Sequence, residues 1–523
     1  MVWRATDPQG GESMKIRFDL LPYCLGTGLD IGCGPEKLFE HFVGVDNLRD
    51  TKLFGISMKP DVVVPTCERL TLFAGEFFDC VLSSHVLEHI EDYRSALAEW
   101  WRLVKVGGTL ILYLPHRELY PNIGDEGANP DHRHDFEEND IRTAMQAVAG
   151  DWDLEVNQRR DMRMEYSFLQ VFRKLPAGAG QRESWQMVDP RPKVAVVRLG
   201  ARGDALWAAS LLPHLREQGY HITVITQEQG EEVLRHDPHI DRIIVASEKL
   251  FAGGMQLCGY FVWLGEQFDR VINLTGTAET RVLPNSDEVF FYWPDDQRRK
   301  MASSINYVEE MHRIADVPYL QSAQRFYPTA DEKLTAARMR VAFKGPVVVI
   351  AATGSSIAKT WPPAHIMRFL NLLADAGVHG VVVGDIRTPD RTPPELGPVV
   401  RDGVAFAHFW GTRISVRDVL AFTLLADAVV GVETAVLNAV AMEPMPKIVM
   451  LSHSTPENLT RDWVNTLAVT PRALPCYPCH RIHRDMSFCT RDNATRAAAC
   501  QAAATPELVA GEILNVLRIA EAA

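Results

Sequence analysis

The stretch Lys193–Leu215, KVAVVRLGARGDALWAASLLPHL, decides how the whole chain is read. Val194, Ala195, Val196 and Val197 form a short apolar run of the kind a buried parallel strand shows. Gly200 and Gly203 then open a tight loop, and Asp204 stands where a helix N-cap would stand. Beyond it Ala205, Ala208, Leu212 and Leu215 recur at helical spacing, so the segment reads strand, glycine turn, helix. Such a turn leaves backbone N–H groups free for an anionic ligand. It also lifts Asp204 to the carboxyl end of a strand, where open α/β sheets bind ligands. Capping of the helix by Asp204 is the plainer alternative.

At 523 residues the chain is too long for one core and predicts three or four compact units. Its 46% hydrophobic and 23% charged content is ordinary for a globular enzyme. A formal net charge of −13 argues against general affinity for nucleic acid or for an anionic membrane, leaving at most peripheral membrane association. No apolar run reaches the roughly 18 residues that span a bilayer. The opening MVWRATDPQGGES lacks the apolar core of a signal peptide, which predicts a cytoplasmic protein. Nine cysteines, five of them scattered before residue 260, do not form a secreted disulfide framework.

The first third contains GTGLDIGCGPEKLF, HFVGVDN, EFFDCVLSSHVLEHIED and LVKVGGTLILYLPH, in that order. Leu29-Asp30-Ile31 ends a strand, and Gly32 and Gly34 let the backbone turn closely around a ligand. Asp46, at the tip of the second strand, suits a ribose diol. This ordered set resembles the class I S-adenosylmethionine-dependent methyltransferases, over roughly Gly26 to His116 with a looser tail to about Lys174. The resemblance implies that Asp30, Gly32 and Gly34 form the cofactor loop and that Asp46 holds the ribose. It places Cys67 and Glu68 near the adenine, with Thr66 where an aspartate is usual, and Ser84 and His85 on the far side of the pocket.

Glu88 and His89 read chiefly as start and packing residues of the following helix, with a metal or acid–base role as the alternative. That helix carries Tyr93, Leu97, Trp100, Trp101 and Val104 on one stripe, and Gly107-Gly108 is expected to close it before a strand at Thr109–Leu114. In the loop NPDHRHDF, His132 is the best single candidate for a general base, a solvated loop or a metal site being the alternatives.

Glycine, alanine and proline without apolar periodicity mark residues 176–192 as a flexible linker. The chain then restarts at Lys193, and again near Gly345 with Pro346–Ile350 and the hydroxyl-rich turn AATGSS. Two strand–glycine–helix sets in succession predict two facing Rossmann-like domains with a cleft between them. ARGDAL, TGSSIAKTWP and GVETAVLNAV together resemble glycosyltransferase family 9, the heptosyltransferase-like enzymes of GT-B architecture. The resemblance implies that Asp204 is the catalytic base. Gly203, Thr353, Ser355, Ser356 and Lys359 would then surround the donor diphosphate with Glu433, Thr434, Ala435 and Asn438. Glu433 replaces the family's usual aspartate, Ala435 a glycine and Asn438 a histidine, so ADP-heptose is not carried over as the donor. For GVETAVLNAV the plain alternative is a helix capped by Thr434.

Near the end, Cys476, Cys479, Cys489 and Cys500 permit a structural tetrahedral zinc site; free thiols or one disulfide are the alternatives.

The expected architecture is therefore α/β throughout, a Rossmann-like methyltransferase domain followed by a GT-B pair. Its segments are 1–175, a linker at 176–192, an acceptor domain at 193–335 and a donor domain at 336–523 with a Cys-rich tail. The expected activity is bifunctional, joining glycosyl transfer from a nucleotide-diphospho-sugar to a glycan or lipid-linked acceptor with S-adenosylmethionine-dependent methylation. Glycosylation of a nucleic-acid base, or a scaffold with one inactive domain, are the other readings.

Overall fold

The computed structural model describes residues 12–48, 57–162, 165–187, 189–246, 254–275, 294–319, 324–384, 400–401, 404–405, 407–408, 414–480 and 489–518. The chain divides into two compact units, Met1–Arg191 with Ile244–Phe268, and Pro192–Ile243 with Asp269–Ala523.

The first unit is built on strands β1 (Gly28–Ile31), β2 (Val43–Asp46), β3 (Val62–Val63), β4 (Phe78–Ser84), β5 (Val104–Pro115), β6 (Trp152–Arg160), β7 (Ser167–Lys174) and β8 (Gln181–Arg182). They lie in the order β3-β2-β1-β4-β5-β7-β6-β8. β1 to β5 are parallel, and β7 runs antiparallel to both of its neighbours. Strand order reverses between β1 and β4, so the loops leaving these two strands turn to opposite sides and open a crevice. β1 is buried along its whole length, as a central parallel strand must be.

The helix Tyr93–Leu103 covers one face because Ala96, Leu97, Trp100, Trp101 and Leu103 recur on one stripe and are buried. Asp92 caps it by accepting from the Ser95 N–H. Gly107-Gly108 does not close this helix, contrary to expectation. The chain enters β5 at Val104, and the pairing with β4 shifts register between Phe78 and Cys80 to absorb the two glycines.

Residues 181–186, expected in the linker, belong to this unit. β8 pairs with β6, Arg182 Nε donates to Asp153 at 2.6 Å, and Arg142 meets Glu183 at 3.2 Å. Those long-range partners are invisible to a local composition signal. The excursion Ile244–Phe268 also had no sequence signal. Its helix Gly254–Gln267 buries Tyr260 against Phe18, ring centroids 5.5 Å apart, and stacks Tyr260 on Trp263.

The second unit begins with β9 (Lys193–Arg198), which lies between β10 (His221–Thr226) and β12 (Arg270–Asn273) and is parallel to both, with β11 (Arg242–Val245) beyond β10. A six-stranded sheet follows, made of β13 (Val347–Ala351), β14 (His379–Val383), β17 (Ala407–His408), β18 (Ala428–Val432), β19 (Lys447–Met450) and β20 (Thr466–Val469). Its order is β17-β14-β13-β18-β19-β20, all parallel. β15 (Val400–Arg401) and β16 (Val404–Ala405) form a separate antiparallel pair. Both sheets thus reverse direction beside their first strand, at β9/β12 and at β13/β18. Buried Arg417 ties this unit together. It pairs with Glu332 and donates to the carbonyls of Glu232, Val233 and Tyr327. Among the described residues no helix is long and apolar enough to cross a membrane.

The switch point at β13/β18 depends on Gly431, which pairs with Ala351. A Cβ there would stand 2.5 Å from the Ala351 carbonyl oxygen, a backbone atom that cannot swing aside. Gly431→Ala is therefore expected to destabilise the second unit by roughly 1–3 kcal/mol, the scale of overpacking. Chemical denaturation monitored by tryptophan fluorescence measures it. An unchanged midpoint would show that the two strands can part without loss.

Candidate functional site

In the first unit a cleft of about 300 Å³ opens at the β1/β4 crevice, lined by Gly32, Gly34, Asp46, Asn47, Met58, Thr66, Cys67, Glu68, His85, Val86, His89, Ile90, Asn129 and Asp131. Gly32 and Gly34 both have positive φ, near +67° and +64°, a conformation that side chains disfavour. A Cβ on Gly32 would meet Val86 at 2.3 Å, whereas Gly34 has open space toward Met58. The Gly34 and Leu48 N–H groups donate to the two carboxylate oxygens of Asp46, at 3.2 and 2.8 Å. Each oxygen keeps a further lone pair for a ligand hydroxyl.

The sequence-predicted residues divide here. Gly32, Gly34, Asp46, Cys67, Glu68 and His85 line the cleft; Asp30 and Ser84 do not. Asp30 is buried behind the loop, where its carboxylate accepts from the Leu38 N–H at 2.9 Å and so fixes the loop's return. Burial pushes its carboxyl up to about 7, opposed by the Leu38 N–H and by Lys37.

His85 follows β4 in a left-handed conformation, its Nε2 3.1 Å from Ser167 Oγ. Burial pushes its imidazole down to about 3, aided by Lys15, His132 and His89, so it is neutral at physiological pH.

His132 was the expected general base, yet it does not line this cleft. It is buried, its ring 4.9 Å from that of His89 and 5.3 Å from that of Tyr120. Glu88 is not a helix-start residue either, because the helix begins at Tyr93 under its own cap at Asp92. Glu88 lies instead in a short turn, Leu87–His89, with its side chain fully enclosed.

The second unit holds a larger cleft of about 410 Å³ at the ends of β9, β13 and β18. It gathers Gly203, Asp204, Thr353, Ser355, Lys359, Glu433, Thr434, Ala435 and Asn438. The three motifs, separated by some 230 residues of sequence, therefore meet in one place. Ser356 does not line it; its Oγ is buried and has no hydrogen-bond partner among the described residues. The helix Arg202–Ala209 starts one turn earlier than expected, with Ala201 at the N-cap and Asp204 at the third helical position. Asp204 reaches back to accept from the Ala201 N–H at 3.0 Å, and Arg198, itself buried, lies 3.4 Å from the same oxygen. Gly203 allows this helix to approach the short helix Ala435–Ala439, since a Cβ on it would stand 2.6 Å from Asn438 Nδ2. Trp207 Nε1 donates to Asn438 Oδ1 at 3.0 Å across the same contact.

Thr434 occupies the N-cap position of the short helix without making a side-chain cap bond. Its buried Oγ1 has no partner among the described residues, so the plain capping alternative does not account for it. Glu433 accepts from the Ser452 N–H and the Ser454 hydroxyl, with His453 Nε2 at 2.6 Å and Lys359 Nζ at 3.8 Å. Burial opposes its ionisation, but His453, Lys359 and the Ser452 N–H outweigh that and hold the carboxyl well below the usual range. His453, Trp207, Tyr307, Gln229 and Arg202 line the cleft and were not predicted. His453 follows a buried strand within LSHSTP, a hydroxyl-rich strand tip that the strand-end rule could have flagged.

The four C-terminal cysteines do not bring three sulfurs within 4.8 Å of one another. Cys476, Cys479, Cys489 and Cys500 form no disulfide. Among the described residues, only Glu88, His89 and His132 bring three ligand atoms within 4.8 Å of one another. Burial, with Cys489 and Cys479 nearby, pushes the Cys500 thiol up to about 12.

Residues 29–112 match the family model described as Methyltransferase domain, and the first unit accordingly carries a methyltransferase domain. No curated protein matches the chain. Among solved structures it is similar to a glycosyl transferase family 9 protein from Veillonella parvula, at 15% identity and TM-score 0.41, covering 54% of this chain and 87% of that one. It is similar also to ADP-heptose LPS heptosyltransferase II of E. coli, at 14% identity and TM-score 0.42, covering 62% and 98%. A SAM-dependent methyltransferase from Archaeoglobus fulgidus matches at 16% identity and TM-score 0.25, covering 31% and 95%.

The depressed Glu433 carboxyl has a measurable sign. Its stabilising effect is fully present above its unfolded pKa of about 4.5 and is lost as pH falls toward the lower folded value. Glu433→Gln is expected to lower stability by roughly 3–5 kcal/mol near neutrality, the scale for breaking a buried ion pair. The gap to the wild type should narrow steadily below about pH 4.5. Denaturation midpoints measured from pH 3 to 7 check this, and a gap independent of pH would contradict it.

Proposed function

We propose that the chain is a bifunctional glycan-modifying enzyme, transferring a methyl group in its first unit and a sugar in its second. One observation carries the sugar reading. The larger cleft is lined by the Asp204 carboxylate from one strand end and by Lys359 and the hydroxyls of Thr353, Ser355 and Thr434 from two others, where the second carboxylate, Glu433, is held by His453 and Lys359. That division suits an acceptor hydroxyl on one side and a nucleotide-diphospho-sugar on the other.

In this reading Asp204 accepts the proton of the acceptor hydroxyl as its oxygen attacks the sugar C1 and the C1–O bond to the diphosphate breaks. The bonds from Ala201 and Arg198 hold the carboxylate in place for that transfer. Lys359, Thr353, Ser355 and Thr434 receive the charge released on the departing diphosphate. Glu433 positions Lys359 and His453 and does not itself face the anion productively, since a carboxylate repels phosphate.

In the first unit, S-adenosylmethionine would lie against Gly32 and Gly34 with its ribose on Asp46, which the family match supports. An acceptor hydroxyl would enter beside His85 and His89. Its oxygen forms a bond to the methyl carbon, the carbon–sulfur bond breaks, and the hydroxyl proton is released.

Two measurements test these roles. Asp46→Ala should weaken S-adenosylmethionine binding by roughly 1.5–3 kcal/mol, about 10- to 150-fold, as read by calorimetry on the full chain. Undiminished affinity would remove Asp46 from the site. Asp204→Asn keeps an acceptor for the Ala201 N–H but cannot take a proton. It should leave donor binding nearly intact while lowering glycosyl transfer by about 10²–10⁴-fold. Transfer of a radiolabelled sugar at the wild-type rate would reduce Asp204 to a structural cap.

A further inference from the structure

The turn that follows β4 contains a buried carboxylate approached by His85 Nδ1 at 3.7 Å and His89 Nε2 at 3.9 Å but hydrogen-bonded by neither. Glu88 has a side chain 1% exposed, and neither of its carboxylate oxygens has a hydrogen-bond partner among the described residues. Leaving a buried carboxylate unpaired is among the costlier arrangements a fold can hold. Its surroundings are imidazoles: His89 Nε2 lies 3.9 Å from Glu88 Oε1, and ligand atoms of Glu88, His89 and His132 all fall within 4.8 Å of one another. Zinc is held by nitrogen and oxygen ligands at about 2.0–2.2 Å, so a small inward movement of these three atoms would close them around such an ion.

The backbone keeps this constellation in place. The Glu88 carbonyl accepts from the N–H groups of Arg133 and His134, at 2.7 and 3.2 Å, which pins the His132 loop against the turn. His89 Nδ1 lies 3.2 Å from the Asp131 carbonyl oxygen. A carbonyl can only accept, so Nδ1 carries the proton and Nε2 turns its lone pair toward Glu88. That is the outer-sphere contact by which metal-binding histidines are commonly oriented.

We propose that Glu88, His89 and His132 bind a divalent first-row transition cation such as zinc, and that it activates the acceptor hydroxyl of the methyl-transfer reaction. Two imidazoles and one carboxylate select such an ion over magnesium or calcium, which prefer oxygen ligands. Three protein ligands leave a coordination position open. His89 and Asp131 both line the cofactor cleft, so the ion borders the space where the acceptor enters. The role rests on the methyltransferase reading of that cleft. A bound cation makes a coordinated hydroxyl more acidic. The hydroxyl proton then passes to water, the oxygen forms its bond to the methyl carbon, and the carbon–sulfur pair returns to sulfur. This supplies an activation that His132, lying outside the cleft, does not give as a direct general base.

The test uses the full chain, stripped of metal with a chelator and titrated with Co²⁺ as a probe that absorbs visible light when bound by nitrogen and oxygen ligands. Calorimetry with S-adenosylmethionine on the same sample shows that the cleft is intact. One equivalent of Co²⁺ is expected to bind and to be displaced by Zn²⁺. His132→Ala and Glu88→Gln should each weaken Co²⁺ by more than about 100-fold, beyond the 10- to 100-fold that outer-sphere changes produce. Replacing Cys476 and Cys479 by Ser should leave Co²⁺ binding unchanged. Protein that binds S-adenosylmethionine but takes up no Co²⁺ overturns the cation site and leaves the methyltransferase reading standing. Uptake lost in the cysteine variant but kept in both His132→Ala and Glu88→Gln overturns it too. Folded protein that binds Co²⁺ as expected but no S-adenosylmethionine would sink the methyltransferase reading, and with it the assigned role, while the cation site itself is upheld.

Discussion

Parallel pairing of buried strands is the constraint from which both sites arise. A parallel neighbour can be reached only by a crossover, and successive crossovers on opposite faces send the loops at a switch point apart. The chain does this at β1/β4, β9/β12 and β13/β18. The gap at β1/β4 receives Gly32, Gly34 and Asp46 from one side and His85 and His89 from the other. The other two gaps share one cleft, where the helix after β9 meets the helix after β18 through Gly203, Trp207 and Asn438. Placement of chemistry therefore follows from topology, and the identity of the chemistry from the few side chains at strand ends.

Charge balance in the larger cleft follows from one such side chain. Glu433 is an anion at a place read as binding another anion, and the structure resolves the conflict by surrounding it. His453 and Lys359 approach one oxygen, while the Ser452 N–H and Ser454 hydroxyl saturate the other. The hydroxyl of Thr434 is left without a partner among the described residues. Glu433 thus has its own set of partners, most of them just after β19. The first unit shows the opposite case in Glu88, a buried acid whose oxygens have no hydrogen-bond partner among the described residues.

Strand, turn and motif were legible in the sequence because each depends on neighbours a few residues away. Val194–Val197, Gly200 and the helical spacing after Asp204 announce a strand–turn–helix unit wherever it lies. Side-chain assignments that require a distant partner were not legible. Asp204 looked like a cap and instead sits at the third helical position, because Ala201 ends the loop three residues sooner. Residues 181–186 looked like linker, since nothing local reveals that Arg182 will find Asp153. Glu88 and His89 looked like a helix start, although His132, some forty residues on, brings its ring within 4.8 Å of ligand atoms on both. Cysteine spacing likewise states which thiols are near in sequence and not how closely their sulfurs approach.

The central claim is that two separate ligand sites, one for S-adenosylmethionine and one for a nucleotide diphosphate, coexist in a single chain. Calorimetry on the full-length protein measures this directly, by titrating S-adenosylmethionine and a panel of nucleoside diphosphates separately and then each in the presence of the other. The account predicts one site for each ligand, without competition between them, and loss of only the nucleotide site on replacing Lys359 with Ala. Mutual displacement, or binding of neither by folded protein, would contradict it.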